Sequence, residues 1–249
     1  MTLVRYAVER GCAVITLDSP CNRNALSVQL MQELSTHLTT AAEADDIRCV
    51  VLTHTGSTFC AGGDLAEGVP VRSTERFRDL LRQVVELPKP VLGRIDGHVR
   101  AAGIGLVGAC DIAVAGPRTT FAFTEVRIGV APAIIALTTL SRMSERAAAR
   151  YCLTGETFDA TTAAATGLVT VATQDVDAEL ERMLEAIRVC SPQGLAETKP
   201  LTTRGVLDAF DARAVTLQQQ SARLFASAEA QEGMAAFLER RQPRWALPA

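Results

Sequence analysis

Residues 48–65 read RCVVLTHTGSTFCAGGDL, and residues 96–111 read DGHVRAAGIGLVGACD. In the first, the apolar, β-branched run 48–53 predicts a buried strand, and the polar stretch from 54 to 64 ends in paired glycines. Gly62 and Gly63 let the backbone come close to a ligand, and free N–H groups at such a turn form an anion or oxyanion site. Asp64 is placed to cap the short helix that follows. The alternative is an ordinary turn between a strand and a helix. In the second stretch a short strand over 91–95 is followed by an Asp96-Gly97 turn and small residues that open a helix over 101–110. Exposed N–H groups and the dipole put positive potential at such a start, and close helix packing explains the same composition. Gly-rich segments after strands are where α/β folds place ligands.

Working outward, residues 3–8 and 12–18 predict a hairpin about Arg10-Gly11. Ser27 is an N-cap ahead of Leu30, Met31, Leu34 and Leu38, which recur at helical spacing. Ser73 is placed to cap a helix to Glu86, stopped by Pro88-Lys89-Pro90. Strands are expected over 111–115, 119–123 and 168–172. Ser144 and Asp159 cap further helices, the second ending at Gly167. Beyond Asp175 only helices remain, with a break at Ser191-Pro192. Alternation of strand and helix followed by helices alone predicts an α/β core over 1–191 and a helical region over 192–249.

A third stretch, FAFTEVRIGVAP at 121–132, sets Glu125 between an apolar strand and an apolar segment. A carboxylate there is desolvated and its pKa raised, which suits general acid/base work. An ion pair with Arg127 is the competing reading.

The length of 249 residues suits one large α/β domain. Its 48% apolar and 21% charged residues exclude a disordered, collagenous or coiled-coil chain. With only 4% aromatics, the core must be mostly Ala, Val, Leu and Ile. A net charge of −3 without runs of like charge gives no nucleic-acid footprint. Cysteines at 12, 21, 49, 60, 110, 152 and 190 form no C-x-x-C pair and read as reduced core thiols. His37, His54 and His98 lack metal-ligand spacing, so no metal is expected, and His98 is read as structural. Residues 1–10 show no secretory leader, and the most apolar stretch, 128–140, is interrupted by Pro132 and too short to span a bilayer. The expectation is a cytoplasmic protein without membrane partners.

In this order and spacing the three stretches resemble the enoyl-CoA hydratase/isomerase (crotonase) superfamily. Asp18-Ser19-Pro20 with Arg23-Asn24-Ala25-Leu26 fits the resemblance, as do Leu153-Thr154-Gly155-Glu156 and Ala165-Thr166-Gly167-Leu168-Val169. It runs from about Val14 to Val171. It implies a spiral of ββα units with two near-perpendicular sheets, and C-terminal helices that build homotrimers, often paired into homohexamers.

The resemblance also implies an acyl-CoA thioester substrate and no cofactor beyond the coenzyme A that the substrate carries. The N–H groups of Gly63 and Ala102 would hold the thioester oxyanion, with Ala102 standing where the family has Gly. Arg23 and Ala25 would contact the pantetheine and phosphate region, and Ala61, Asp64 and Leu65 the adenine and the bent CoA chain; Arg23 could equally be a solvated loop charge. Family hydratases use two glutamates. Here the second is Glu125, but Gly105 stands where the first belongs, and the space it leaves could take a branched or carboxylated acyl group. A 2-enoyl-CoA hydratase (a lyase) is favoured. A Δ3,Δ2-enoyl-CoA isomerase and a catalytically degenerate acyl-CoA-binding homologue are the alternatives. Acyl-chain length, trimer against hexamer, and pathway stay open.

Overall fold

The structure, a computed structural model, describes residues 2–67 and 71–247. Strands β1 (Val4–Glu9) and β2 (Cys12–Leu17) form the expected hairpin, and α1 (Val28–Glu43) buries Leu30, Met31, Leu34 and Leu38. The Ser27 hydroxyl accepts the Leu30 N–H and so caps that helix. There follow β3 (Cys49–His54), β4 (Thr58–Cys60), α2 (Val71–Glu86), β5 (Val91–Ile95), β6 (His98–Arg100) and α3 (Ala102–Ala109). The next elements are β7 (Ile112–Ala115), β8 (Thr120–Ala122), α4 (Ala136–Thr139), α5 (Glu145–Thr154), β9 (Phe158–Asp159), α6 (Ala160–Thr166) and β10 (Val171–Ala172). Four helices close the described chain: α7 (Val176–Arg188), α8 (Pro192–Thr202), α9 (Arg204–Phe225) and α10 (Ala228–Leu238).

Six strands form one sheet in the order β1-β2-β3-β5-β7-β10, and four form another in the order β4-β6-β8-β9. The first is parallel apart from its β1–β2 edge, and the second apart from its β8–β9 edge. The chain alternates between them: β3 then β4, β5 then β6, β7 then β8. A helix follows each pair, so each turn of the spiral supplies one strand to each sheet.

The second sheet is where the sequence reading falls short. The strands β4, β6 and β9 lie in segments where no strand was expected. Runs of two or three residues are too short to show a period of two, and only pairing with neighbours defines them. Helix α2 begins at Val71, two residues before Ser73, which lies inside its first turn; Pro70 in the sequence is a start signal that the Ser73 reading overlooks. Of the strand expected over 168–172, only Val171 and Ala172 pair, with β7.

The main core packs α1, α2 and α3 against both sheets. Its largest fully buried side chains include Phe59, Phe121, Phe123 and Phe210, so the few aromatics carry more of it than the composition suggested. Cys12, Cys49, Cys60 and Cys110 are buried thiols as expected. Cys21 and Cys190 are exposed, because one lies in the surface turn Pro20–Asn22 and the other just past the end of α7. Helix α8 is tied to the core by Lys199, whose ammonium bonds Val84 O, Lys89 O and the Asp111 carboxylate at 2.9, 3.0 and 2.9 Å. Helix α9 packs on α2 and α4, and α10 on the 3-10 turn Glu125–Ile128. Among the described residues no helix is long and apolar enough to cross a membrane.

Candidate active site

Strands β4, β6 and β8 are parallel neighbours, so their C-terminal ends share one edge of the second sheet. Gly63 lies three residues beyond β4, Ala102 two beyond β6, and Glu125 three beyond β8. Three segments remote in sequence thus converge because their strands run parallel as neighbours. A cleft of about 620 Å³ opens at this edge. Gly63, Ala102 and Glu125 line it, and so do Arg23, Ala25, Ala61, Asp64 and Leu65. The structure therefore brings all the sequence-derived candidates to one place. His98 stays outside, with its ring bonded to the Thr120 hydroxyl at 2.8 Å.

The first wall is built from two loops. Arg23 and Asn24 both take left-handed backbone conformations, with φ of 59° and 54°. The cost is met by the Asn24 amide, which accepts the Ser19 N–H at 2.7 Å and donates to Thr55 O and Thr58 O at 3.1 and 2.8 Å. That pins the loop to the β4 segment, and Ala61 N–H donates to Arg23 O. Leu26 and Gly63 form a parallel bridge in which Leu26 N–H donates to Gly62 O and Asp64 N–H to Leu26 O. The residue between two such groups turns its own N–H the other way, so the Gly63 N–H is not consumed. A Cβ on Gly63 would meet nothing within 4 Å. Asp64 caps the turn Leu65–Glu67 as expected, accepting the Ala66 N–H at 3.0 Å.

Ala102 opens α3, so its N–H has no partner within the helix. Ala101 before it sits at φ 47° and ψ −120°, a region almost reserved for glycine. The strain lies next to the candidate donor, and Ala101 N–H is tied to Ala122 O at 3.2 Å. Sequence reasoning noted Ala102 and missed Ala101; the paired alanines in a glycine-rich run were the available signal.

Glu125 is only 8% exposed, and its Oε2 has no hydrogen-bond partner. Burial pushes the carboxyl up to about 7, with its own backbone N–H opposing slightly. No ion pair to Arg127 forms, which removes that competing reading. Burial also pushes the Cys60 thiol up to about 12, which disables it as a nucleophile. At Gly105 the expected spare room is filled: a Cβ there would lie 2.6 Å from Ile135 Cγ2 and 3.3 Å from Phe77 Cζ. Ile135, Phe77, Phe225, Phe237 and Leu238 make the cleft mostly apolar. None was singled out from sequence, because they lie in helices or, for Ile135, just before one, and only tertiary packing brings them to the sheet edge. Among the described residues, no group of three or more His, Cys, Asp or Glu side chains clusters as a metal site.

The chain is similar in sequence and fold to known proteins. The chain is 54% identical to an enoyl-CoA hydratase from Mycobacterium avium of known crystal structure, over 99% of this chain and 100% of that one, with a TM-score of 0.94. A crystal structure of an enoyl-CoA hydratase from Mycobacterium smegmatis matches at 32% identity over 98% of each chain, with a TM-score of 0.78. The mitochondrial enoyl-CoA hydratase domain-containing protein 3 of Danio rerio is 30% identical over 94% of this chain and 84% of its own length. The pattern of the enoyl-CoA hydratase/isomerase family matches residues 7–247. With that coverage and the two-sheet spiral, the chain belongs to the enoyl-CoA hydratase/isomerase family.

Proposed function

We propose that the protein is a lyase that adds water to a 2-enoyl-CoA thioester. The observation that carries this reading is Glu125: a buried carboxyl with a bare oxygen and a pKa raised to about 7, in a cleft shared with Gly63 and Ala102. In this reading the Gly63 and Ala102 N–H groups hold the thioester oxygen. Attack of water on C3 pushes charge onto that oxygen, and each donor aimed at it contributes roughly 10²–10³ in rate. The Glu125 carboxylate takes a proton from the attacking water. The resulting acid then delivers it to C2 as the enolate collapses, so Glu125 ends as it began. Water supplies the hydroxyl at C3 and the proton at C2, and no further cofactor enters.

Arg23 and Arg127, both at the cleft and without an ion pair among the described residues, suit the phosphates of coenzyme A. Residues 192–249 are proposed as the oligomerisation region of a cytoplasmic homotrimer or homohexamer.

The second reading is a Δ3,Δ2-enoyl-CoA isomerase. Ile135 supports it: apolar packing at Gly105 leaves no second carboxylate to hold water, whereas one glutamate suffices to carry a proton between C2 and C4.

The test is mass spectrometry of the purified protein with a panel of 2-enoyl-CoA and 3-enoyl-CoA thioesters beside Glu125→Gln. A gain of one water on a 2-enoyl substrate, lost in the variant, is the expected result. Double-bond migration without a mass change would replace the lyase by the isomerase. No turnover of any thioester would leave an acyl-CoA-binding homologue.

A further inference from the structure

The turn that carries Glu125 is closed from outside by α10, and the two backbones touch. The inward face of α10 is Ala230, Gly233 and Ala236, all buried. A Cβ on Gly233 would lie 2.5 Å from the Ile128 carbonyl carbon and oxygen. In the other direction, a Cβ on Gly129 would lie 2.8 Å from the Glu229 carbonyl. Neither glycine admits a methyl group without the helix or the turn moving. The turn is short: Arg127 N–H bonds Thr124 O and Val130 N–H bonds Glu125 O, so a push on Ile128 reaches Glu125 within one ring. The far end of α10 carries Phe237 and Leu238 to the cleft, at 54% and 59% exposure.

We propose that α10, seated through Gly233, is the positioning element that holds Glu125 deep and dry enough to move protons. This rests on the reading of Glu125 as the acid/base. No group of α10 need touch the reacting atoms; the helix acts by excluding water from behind the carboxyl. The ionisable groups around the turn leave that role to burial. Arg127 on the turn makes no ion pair with Glu125. From α5, Cys152 faces it; burial first and the Glu125 charge second push that thiol up to about 11. On α10, Glu232 is engaged with Arg241 and Arg244, and neither it nor Glu229 enters the balance at Glu125.

The experiment titrates Glu125 itself in the full chain, by carboxyl carbon NMR of protein labelled with 13C-glutamate. The signal is assigned by its loss in Glu125→Gln. The expected midpoint in the intact protein is about 7. Gly233→Ala lets water in behind the carboxyl, and its midpoint falls by at least about one unit. With any enoyl-CoA that the intact protein turns over, kcat falls while KM stays within about twofold, the mark of an effect confined to the chemical step. Gly205→Ala on α9, where a Cβ meets nothing within 4 Å, leaves the midpoint unchanged. Should Gly233→Ala not fold, Ala230→Gly loosens the same seat by removing a buried methyl, and it shifts the midpoint in the same direction. A folded Gly233→Ala or Ala230→Gly protein in which Glu125 titrates as in the intact one overturns the proposal. Absence of turnover in the intact protein would overturn the acid/base reading instead, and the titration would still decide whether α10 sets the state of Glu125.

Discussion

Ile135 stands in the space that a side chain at position 105 would need: Cγ2 is 2.6 Å from where the first carbon would go. Gly105→Glu therefore does not install a second carboxylate. The new side chain meets Ile135 and Phe77 in the core, and overpacking of this kind costs about 1–3 kcal/mol before the buried charge is counted. The expected outcome is a lower denaturation midpoint and no gain in hydration rate. Gly105→Glu combined with Ile135→Ala clears the contact and recovers part of the lost stability. Urea unfolding of the single and double variants, with turnover measured on the same samples, checks both statements.

The pH dependence of stability follows from the direction of the Glu125 shift. Its folded pKa of about 7 lies above the ordinary glutamate value of 4.5. Between those two values the folded chain holds a proton that the unfolded chain has released, so stability falls as pH rises. Across the whole window the loss is about 3 kcal/mol, at roughly 1.4 kcal/mol per unit. Glu125→Gln removes that slope: the variant is the more stable above pH 7 and loses the advantage on acidification toward 4.5. Its turnover falls by roughly 10²–10⁴. Denaturation series at several pH values test the stability statement, and parallel slopes for the two proteins would sink it.

Ala101 holds a backbone conformation that glycine adopts freely, at φ 47°. Relief of such strain is worth about 1–3 kcal/mol, against about 0.5–1 kcal/mol for the extra freedom of glycine in the unfolded chain. Ala101→Gly is expected to stabilise the fold by about 1 kcal/mol, which raises Tm by about 2–4 °C in a domain of this size. Calorimetry reads the shift directly. A lowered Tm would mean that the strain at Ala101 is smaller than the entropy it saves.

The sequence was most legible where periodicity had room to speak. Helix α1 shows its buried stripe of Leu30, Met31, Leu34 and Leu38 in the one-dimensional pattern, and β3 its apolar run. The glycine-rich stretches marked two loops where the backbone can come close to a ligand, and the family resemblance singled out Gly63 and Ala102 within them. Glu125 stood out as a carboxylate in apolar company. What was hidden came from elsewhere in the chain. Ile135 reaches Gly105 only through the packing of α4 on α3, and Gly233 reaches Ile128 only because α10 folds back over the core. Such contacts join positions about 30 and 100 residues apart, and no local pattern at either end records them. The strands β4 and β6 were hidden for a different reason: at three residues each, they exist through their neighbours.

Because β4, β6 and β8 each end in a different chemical group, the site behaves as a tripod whose legs belong to successive turns of the chain. In the proposed reading, lengthening or exchanging one leg's loop alters one function, such as donor, second donor or proton carrier, and leaves the other two standing on their own strands. A scaffold of this kind can trade one reaction for another by single steps that never pass through an unassembled site.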